Sequence, residues 1–154
     1  MSVKSIVDRQ YRQRVNLVAQ SLRKIEFPTE GWLYTVKKAL GMSAAQLARR
    51  MGKSRALISN TEKAELGGGV TLKTMERMAK AMGCEFVYAI VPKHGCVEDL
   101  ITAQAKRKAE AIVQNASHQM ALEQQSVSQE DIAFEIERVK AEIIQEMPSD
   151  FWDE

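Results

Sequence analysis

The stretch Leu47-Ala48-Arg49-Arg50-Met51-Gly52-Lys53-Ser54-Arg55-Ala56-Leu57-Ile58-Ser59-Asn60-Thr61-Glu62-Lys63 decides how this chain is read. It holds the end of one short helix and the start of another. Leu47, Ala48 and Met51 share one helical face by their spacing. Gly52 can take the left-handed backbone conformation that ends a helix and turns the chain. Ser54 has the hydroxyl of an N-cap, able to accept from an orphan backbone N–H of the next helix. Leu57, Ile58 and Thr61 then form the expected inward face, and small Ala48 lets the second helix cross closely. Two short helices joined by a tight glycine turn make a helix-turn-helix.

The same spacing leaves Arg55, Ala56, Ser59, Asn60 and Lys63 facing outward. Such a face suits the major groove of double-stranded DNA. Arg55 can fork onto guanine O6 and N7, and Asn60 can pair with adenine N6 and N7. Ala56 can touch a thymine methyl, and Ser59 can bond to a base or a phosphate. Ser43, Arg49, Arg50, Lys53, Ser54 and Lys63 are the candidate phosphate contacts, which set register rather than sequence preference. The charged outer face of an ordinary helical domain is the competing explanation for this pattern.

Working outward, residues 3–26 read as an amphipathic helix with Val7, Tyr11, Val15, Val18, Leu22 and Ile25 on one stripe. Phe27-Pro28-Thr29-Glu30-Gly31 breaks it. Short helices are expected over residues 32–40, 44–51, 55–65 and 72–82, the second and last capped by Ser43 and Thr71. From Cys84 the period changes to two: Phe86, Tyr88 and Ile90 alternate with Glu85, Val87 and Ala89. That pattern predicts a β-strand over residues 84–91, stopped by Pro92.

The rest of the chain offers no second strand, so its backbone groups would lack partners. Pairing with the same strand of a second copy resolves this and predicts a homodimer. A short extended segment, open to water, is the other solution. Residues 97–124 predict a long helix. A further helix starts at Ser128 and carries Ile132, Ile136, Val139, Ile143 and Met147. The Phe151-Trp152 pair reads as exposed aromatics among acids. The expected fold is therefore mainly all-α: a helix-turn-helix bundle at residues 31–92, preceded by a helix at 1–27, containing one dimerising strand, and followed by a helical region at 95–154.

Charge is split along the chain. Residues 1–120 hold 20 lysines and arginines against 10 aspartates and glutamates, whereas residues 121–154 hold 2 against 10. A basic body suits a polyanion, because each neutralised phosphate releases counterions. The acidic end would be repelled by DNA and needs another role. No apolar run approaches the ~20 residues that span a bilayer, and the N-terminus lacks a signal-peptide core, so a cytoplasmic location is expected.

Cys84 and Cys96, even with His94 and His118, do not match a zinc-site spacing. Cys84 is expected buried and Cys96 at the surface. No nucleophile–base set or carboxylate pair stands out, so neither an enzyme nor a cofactor is expected.

The stretch quoted at the start resembles the XRE/Cro–C1 repressor-like helix-turn-helix family. The resemblance implies a lambda-repressor-like bundle and a DNA-binding transcription regulator. It also implies that Glu62 pairs with a basic residue of the first helix of the bundle, for which Lys37 is the match. One departure concerns the start of the second helix, where the family offers a phosphate-gripping Gln and this chain has Ala44.

Pro28-Thr29-Glu30-Gly31-Trp32, Ala39-Leu40-Gly41-Met42-Ser43, Gly83-Cys84-Glu85-Phe86-Val87-Tyr88-Ala89-Ile90-Val91-Pro92 and Met120-Ala121-Leu122-Glu123-Gln124-Gln125 further resemble the mobile mystery protein A family, over residues 10–125. Members are bacterial, carried on mobile elements and often encoded beside a Fic-domain protein. That resemblance implies an autoregulating antitoxin with a Fic-domain toxin as partner. Ser126-Val127-Ser128-Gln129-Glu130-Asp131 is similar to the inhibitory motif of Fic partners but ends in Asp; a helix start explains it as well. An alternative function is a protein inhibitor that binds its partner through the acidic C-terminal helices, with Phe151 and Trp152 as anchors.

Overall fold

The computed structural model describes residues 2–123 and 127–154. Its described elements are seven helices: α1 (Val3–Leu22), α2 (Trp32–Ala39), α3 (Ala44–Met51), α4 (Arg55–Leu66), α5 (Leu72–Ala81), α6 (Val97–Leu122) and α7 (Gln129–Glu146). Hydroxyl caps start several of them. Ser43 accepts from Gln46 N at 3.1 Å, Ser54 from Leu57 N at 3.1 Å, Thr71 from Thr74 N at 3.1 Å and Ser128 from Asp131 N at 3.1 Å. Each satisfies a backbone donor that the helix itself leaves unpaired. At Ser43 the cap is reciprocal, since Gln46 Oε1 accepts from Ser43 N at 2.8 Å. Gly52 closes α3 at φ 64°, ψ 34°, and Lys53 N reaches back to Ala48 O at 2.9 Å. A side chain would be strained there, which is why a glycine makes this turn.

The chain divides into two compact units: Leu22–Ala89, and the N-terminal segment up to Ser21 together with Ile90–Glu154. In the first unit α3 packs on α4 and α5, and α2 packs on α4 and α5. Their shared core is Leu33, Leu47, Ala48, Ile58, Met75, Met78 and Met82, with Val36, Met42, Met51, Val70 and Phe86 packed around it. Three methionines let the core fill an irregular space between short helices.

In the second unit α6 and α7 form a helical hairpin. Ile101, Ala105 and Phe151 are buried at its base, flanked by Val97, Ile143, Ile144 and Met147. α1 is held to this unit by Asn16. Its Oδ1 accepts from Val97 N at 2.8 Å, and its Nδ2 donates to Glu98 Oε2 at 2.8 Å. The first of these caps α6 in trans, where no Ser, Thr or Asn precedes the helix.

Several expectations are corrected. No strand occurs among the described residues; residues 84–91 are neither helix nor strand. A strand exists only when its backbone finds a partner, and, among the described residues, 85–91 make no backbone–backbone hydrogen bond. α1 stops at Leu22 rather than at residue 26, and α6 at Leu122 rather than 124, the latter lying outside the described residues. By compactness the N-terminal helix groups with the C-terminal helices. The tail does not present both aromatics: Phe151 is 2% exposed and only Trp152 faces water. Gln104 Nε2 and Lys108 Nζ hold the tail by the carbonyls of Phe151 and Asp150, each at 2.8 Å. Finally, Cys84 is exposed and Cys96 half-buried, the reverse of expectation. Cys84 sits just past α5, where its chain has left the core.

Candidate nucleic-acid interface

α4 is positioned from three sides. Its inward residue Ile58 is 1% exposed in the core. One turn on, Glu62 forms an ion pair with Lys37 of α2, Nζ to Oε1 at 2.5 Å, both residues buried. Lys37 also lies over the Tyr34 ring, 5.2 Å from its centroid. This is the pair that the family resemblance implied.

A third tie had no signal in the sequence. Glu65 Oε2 accepts from Trp32 N at 2.7 Å and Oε1 from Leu33 N at 2.9 Å, so the end of α4 caps the start of α2. A carboxylate at a helix N-terminus satisfies orphan donors and opposes the helix dipole favourably. Gly31 makes room for it: a Cβ there would lie 2.9 Å from Glu65 Oε1, and φ is 87°.

With α4 held so, Arg55, Ala56, Asn60 and Lys63 are exposed and Ser59 is half-buried. Among the described residues, the side chains of Arg55, Asn60 and Lys63 have no hydrogen-bond partner, so their donors and acceptors are available to a ligand. Ser54 caps the first turn, and its hydroxyl proton remains free to donate.

Leu57 departs from expectation. Its spacing predicts a core position, but it is 44% exposed, on the flank of the outward face beside Asn60. Helical geometry explains the error: with Ile58 and Glu62 at the centre of the buried stripe, residue 57 falls about 100° away. The useful signal was the pair Ile58 and Glu62 at i, i+4, not the apolar character of Leu57.

The candidate phosphate contacts surround this face. Ser43 and Lys53 are exposed at the helix ends, and Arg49 is exposed on α3. Arg50 is already partly engaged: its Nε donates to Ala81 O at the end of α5, at 2.6 Å. That bond satisfies a C-terminal carbonyl, and Arg50 remains exposed. Arg49, Arg50 and Gln46 line a cleft of about 520 Å³ with Leu40, Gly41 and Met42. The reciprocal cap at Ser43 makes Gln46 part of the helix start, although it was not among the expected contacts. The unit Leu22–Ala89 carries 12 lysines and arginines against 6 aspartates and glutamates; the other unit carries 10 against 14. The charge split seen along the chain is thus a split between units, and the basic one bears α4.

Residues 33–88 match the helix-turn-helix family. The match covers α2 to α5 and runs on to Tyr88, past the end of α5. Neither the curated proteins nor the solved structures gave a match. The helix-turn-helix match points to a DNA-binding transcription regulator. Among the described residues no helix is long and apolar enough to cross a membrane. No group of three or more His, Cys, Asp or Glu side chains able to hold a metal ion occurs among them either.

Proposed function

We propose that this protein is a homodimeric, sequence-specific DNA-binding repressor in which α4 reads the major groove. The observation that carries this reading is the outward row Arg55, Ala56, Ser59, Asn60 and Lys63. It stands on a helix whose opposite face is pinned by Ile58 and by the buried Lys37–Glu62 pair. A binding helix must hold its orientation to within a fraction of an ångström for bidentate base contacts to form. Arg55 and Asn60 read guanine and adenine edges. Ala56 and the exposed Leu57 supply apolar contacts suited to thymine methyl groups. Ser43, Arg49, Arg50, Lys53, Ser54 and Lys63 take phosphates. A single recognition helix covers one half-site, so two copies reading half-sites about 34 Å apart supply full specificity. Competition binding tests this: the protein should prefer its own promoter region to random DNA of equal length.

The finer reading, an autoregulating antitoxin with a Fic-domain partner, rests on the resemblance to mobile mystery protein A alone. The inhibitory-motif match includes Ser126, which lies outside the described residues, while Ser128 within it caps α7. One observation favours a second, partner-binding activity for the acidic unit. Phe134 is 70% exposed on α7, with Glu130, Asp131 and Glu137 around it. An aromatic among acids is a better anchor than the tail, whose Phe151 is buried. Co-purification with the neighbouring gene product, comparing wild type and Phe134→Ala, tests it; equal recovery would count against α7.

A further inference from the structure

α1, the start of α6 and the C-terminal tail line a cleft of about 350 Å³, wholly within the unit that does not carry α4. A cleft of that size can hold a small molecule. Its floor is apolar, made by Val97, Ile101 and Met147. The wall beside it is built by the tail. Met147 takes a left-handed backbone, φ 46° and ψ 65°, where α7 ends. Phe151 is buried and accepts from Gln104 through its carbonyl, and Trp152 packs edge-on against it at 4.8 Å between centroids. The indole itself stays 58% exposed at the rim. The charged residues lining the cleft are Asp8 and Arg12, one turn apart on α1 and both half-buried. Among the described residues neither makes a hydrogen bond or an ion pair. Glu98 of α6 feels the Arg12 charge, but its carboxylate accepts from Asn16 instead.

We propose that this cleft binds a free α-amino acid with a large apolar side chain. Arg12 takes the α-carboxylate, Asp8 takes the α-ammonium, and the side chain lies on the apolar floor against Trp152. Charge selects this class of ligand. A simple carboxylate would meet one guanidinium but also the negative charges of Asp8 and Glu98. A bare organic cation would leave Arg12 without a partner. The Tyr11 ring at the rim already has the Arg14 guanidinium 5.9 Å from its centroid, which disfavours an aromatic cage for a second cation. A peptide terminus brings one of the two charges and not the other. A free amino acid sets both on one carbon beside an apolar group, matching two opposite charges at the edge of an apolar floor.

The test is calorimetric titration of the full chain with L-phenylalanine, L-leucine, 3-phenylpropionate and phenethylamine. The two amino acids should bind, and phenylalanine should bind more tightly than the analogue lacking its ammonium or the one lacking its carboxylate. The chain has two tryptophans, so Trp32→Phe leaves Trp152 as the reporter. Its emission should change on titration with phenylalanine. Asp8→Asn and Arg12→Gln should each weaken phenylalanine by about tenfold or more. Asp8→Asn should also remove the preference over 3-phenylpropionate, and Arg12→Gln the preference over phenethylamine, a pattern that a merely structural role would not give. Leu100→Trp, at a half-exposed lining position, should fill the cleft and block binding with an unchanged helical circular dichroism spectrum. No heat and no change in Trp152 emission at millimolar phenylalanine would overturn the proposal. So would equal binding of all four compounds, or binding indifferent to both Asp8→Asn and Arg12→Gln. None of these readouts depends on DNA, so they stand or fall apart from base reading by α4.

Discussion

Lys37 and Glu62 meet at 2.5 Å with both side chains withdrawn from water, 8% and 11% exposed. They tie α2 to α4 beneath the outward row, so the orientation of that row depends on them. Two charges taken out of water are held by each other, and removal of one strands the other. Glu62→Ala or Lys37→Ala is therefore expected to cost about 3–5 kcal/mol in urea unfolding. Lys37→Met combined with Glu62→Leu should recover most of that loss. A single variant as stable as wild type would show that the pair does not hold the unit.

The Glu65 cap makes a distinct prediction. Glu65→Ala leaves the amides of Trp32 and Leu33 without partners and should cost about 1–2 kcal/mol. Gly31→Ala should destabilise as well, because its Cβ would crowd the Glu65 carboxylate and its backbone has φ 87°. Trp32 fluorescence during unfolding reports both, since the ring lies at the capped helix start.

Acid should loosen α1 from α6. The hydrogen bond from Asn16 holds the Glu98 carboxyl below its usual range, with backbone bonding near Glu98 adding to the effect. A carboxylate whose folded pKa is depressed contributes stability above its unfolded pKa and loses it as pH falls through the folded value. The window thus lies below about pH 4.3, the ordinary Glu value. Asn16→Ala should raise the Glu98 titration midpoint, followed by NMR, toward the ordinary range, with the backbone bonding still holding it somewhat low. An unchanged titration midpoint would contradict the contact.

Leu57 predicts a methyl-dependent preference. Operator DNA with uracil in place of thymine lacks the C5-methyl group but keeps every hydrogen-bonding edge. If Leu57 or Ala56 meets such a methyl, wild type should lose affinity on that replacement, by a factor of several. Leu57→Ala should then lose less. Equal affinity of wild type for both DNAs would remove Leu57 from the interface.

What was legible in the sequence was local. Ser43, Ser54, Thr71 and Ser128 act on backbone groups three residues away, so their chemistry and spacing sufficed. The Lys37–Glu62 pair became readable through family resemblance. The Glu65 cap joins residues 32 and 33 positions apart, and the Asn16 clamp joins residues 81 and 82 apart. No local pattern reports such contacts, because they exist only after the helices have packed. Phe151 follows the same logic: beside acids it reads as exposed, but the carbonyl-to-Gln104 bond and the apolar pocket at the hairpin base draw it in. The alternation over residues 84–91 predicts a strand that does not form among the described residues, because alternation reports which side chains are apolar and not whether the backbone finds a partner.

Base reading by α4 is reached directly by a salt-dependent binding titration. Affinity for the protein's own promoter region and for random DNA should be titrated for wild type, Arg55→Ala and Lys53→Ala over a range of salt. Arg55→Ala is expected to lose about 1–3 kcal/mol on promoter DNA and to relax preference at one base pair. Lys53→Ala should weaken both DNAs alike and lower the salt slope by about 1. Wild type binding promoter and random DNA equally, with Arg55→Ala indistinguishable from it, would show that α4 does not read base sequence.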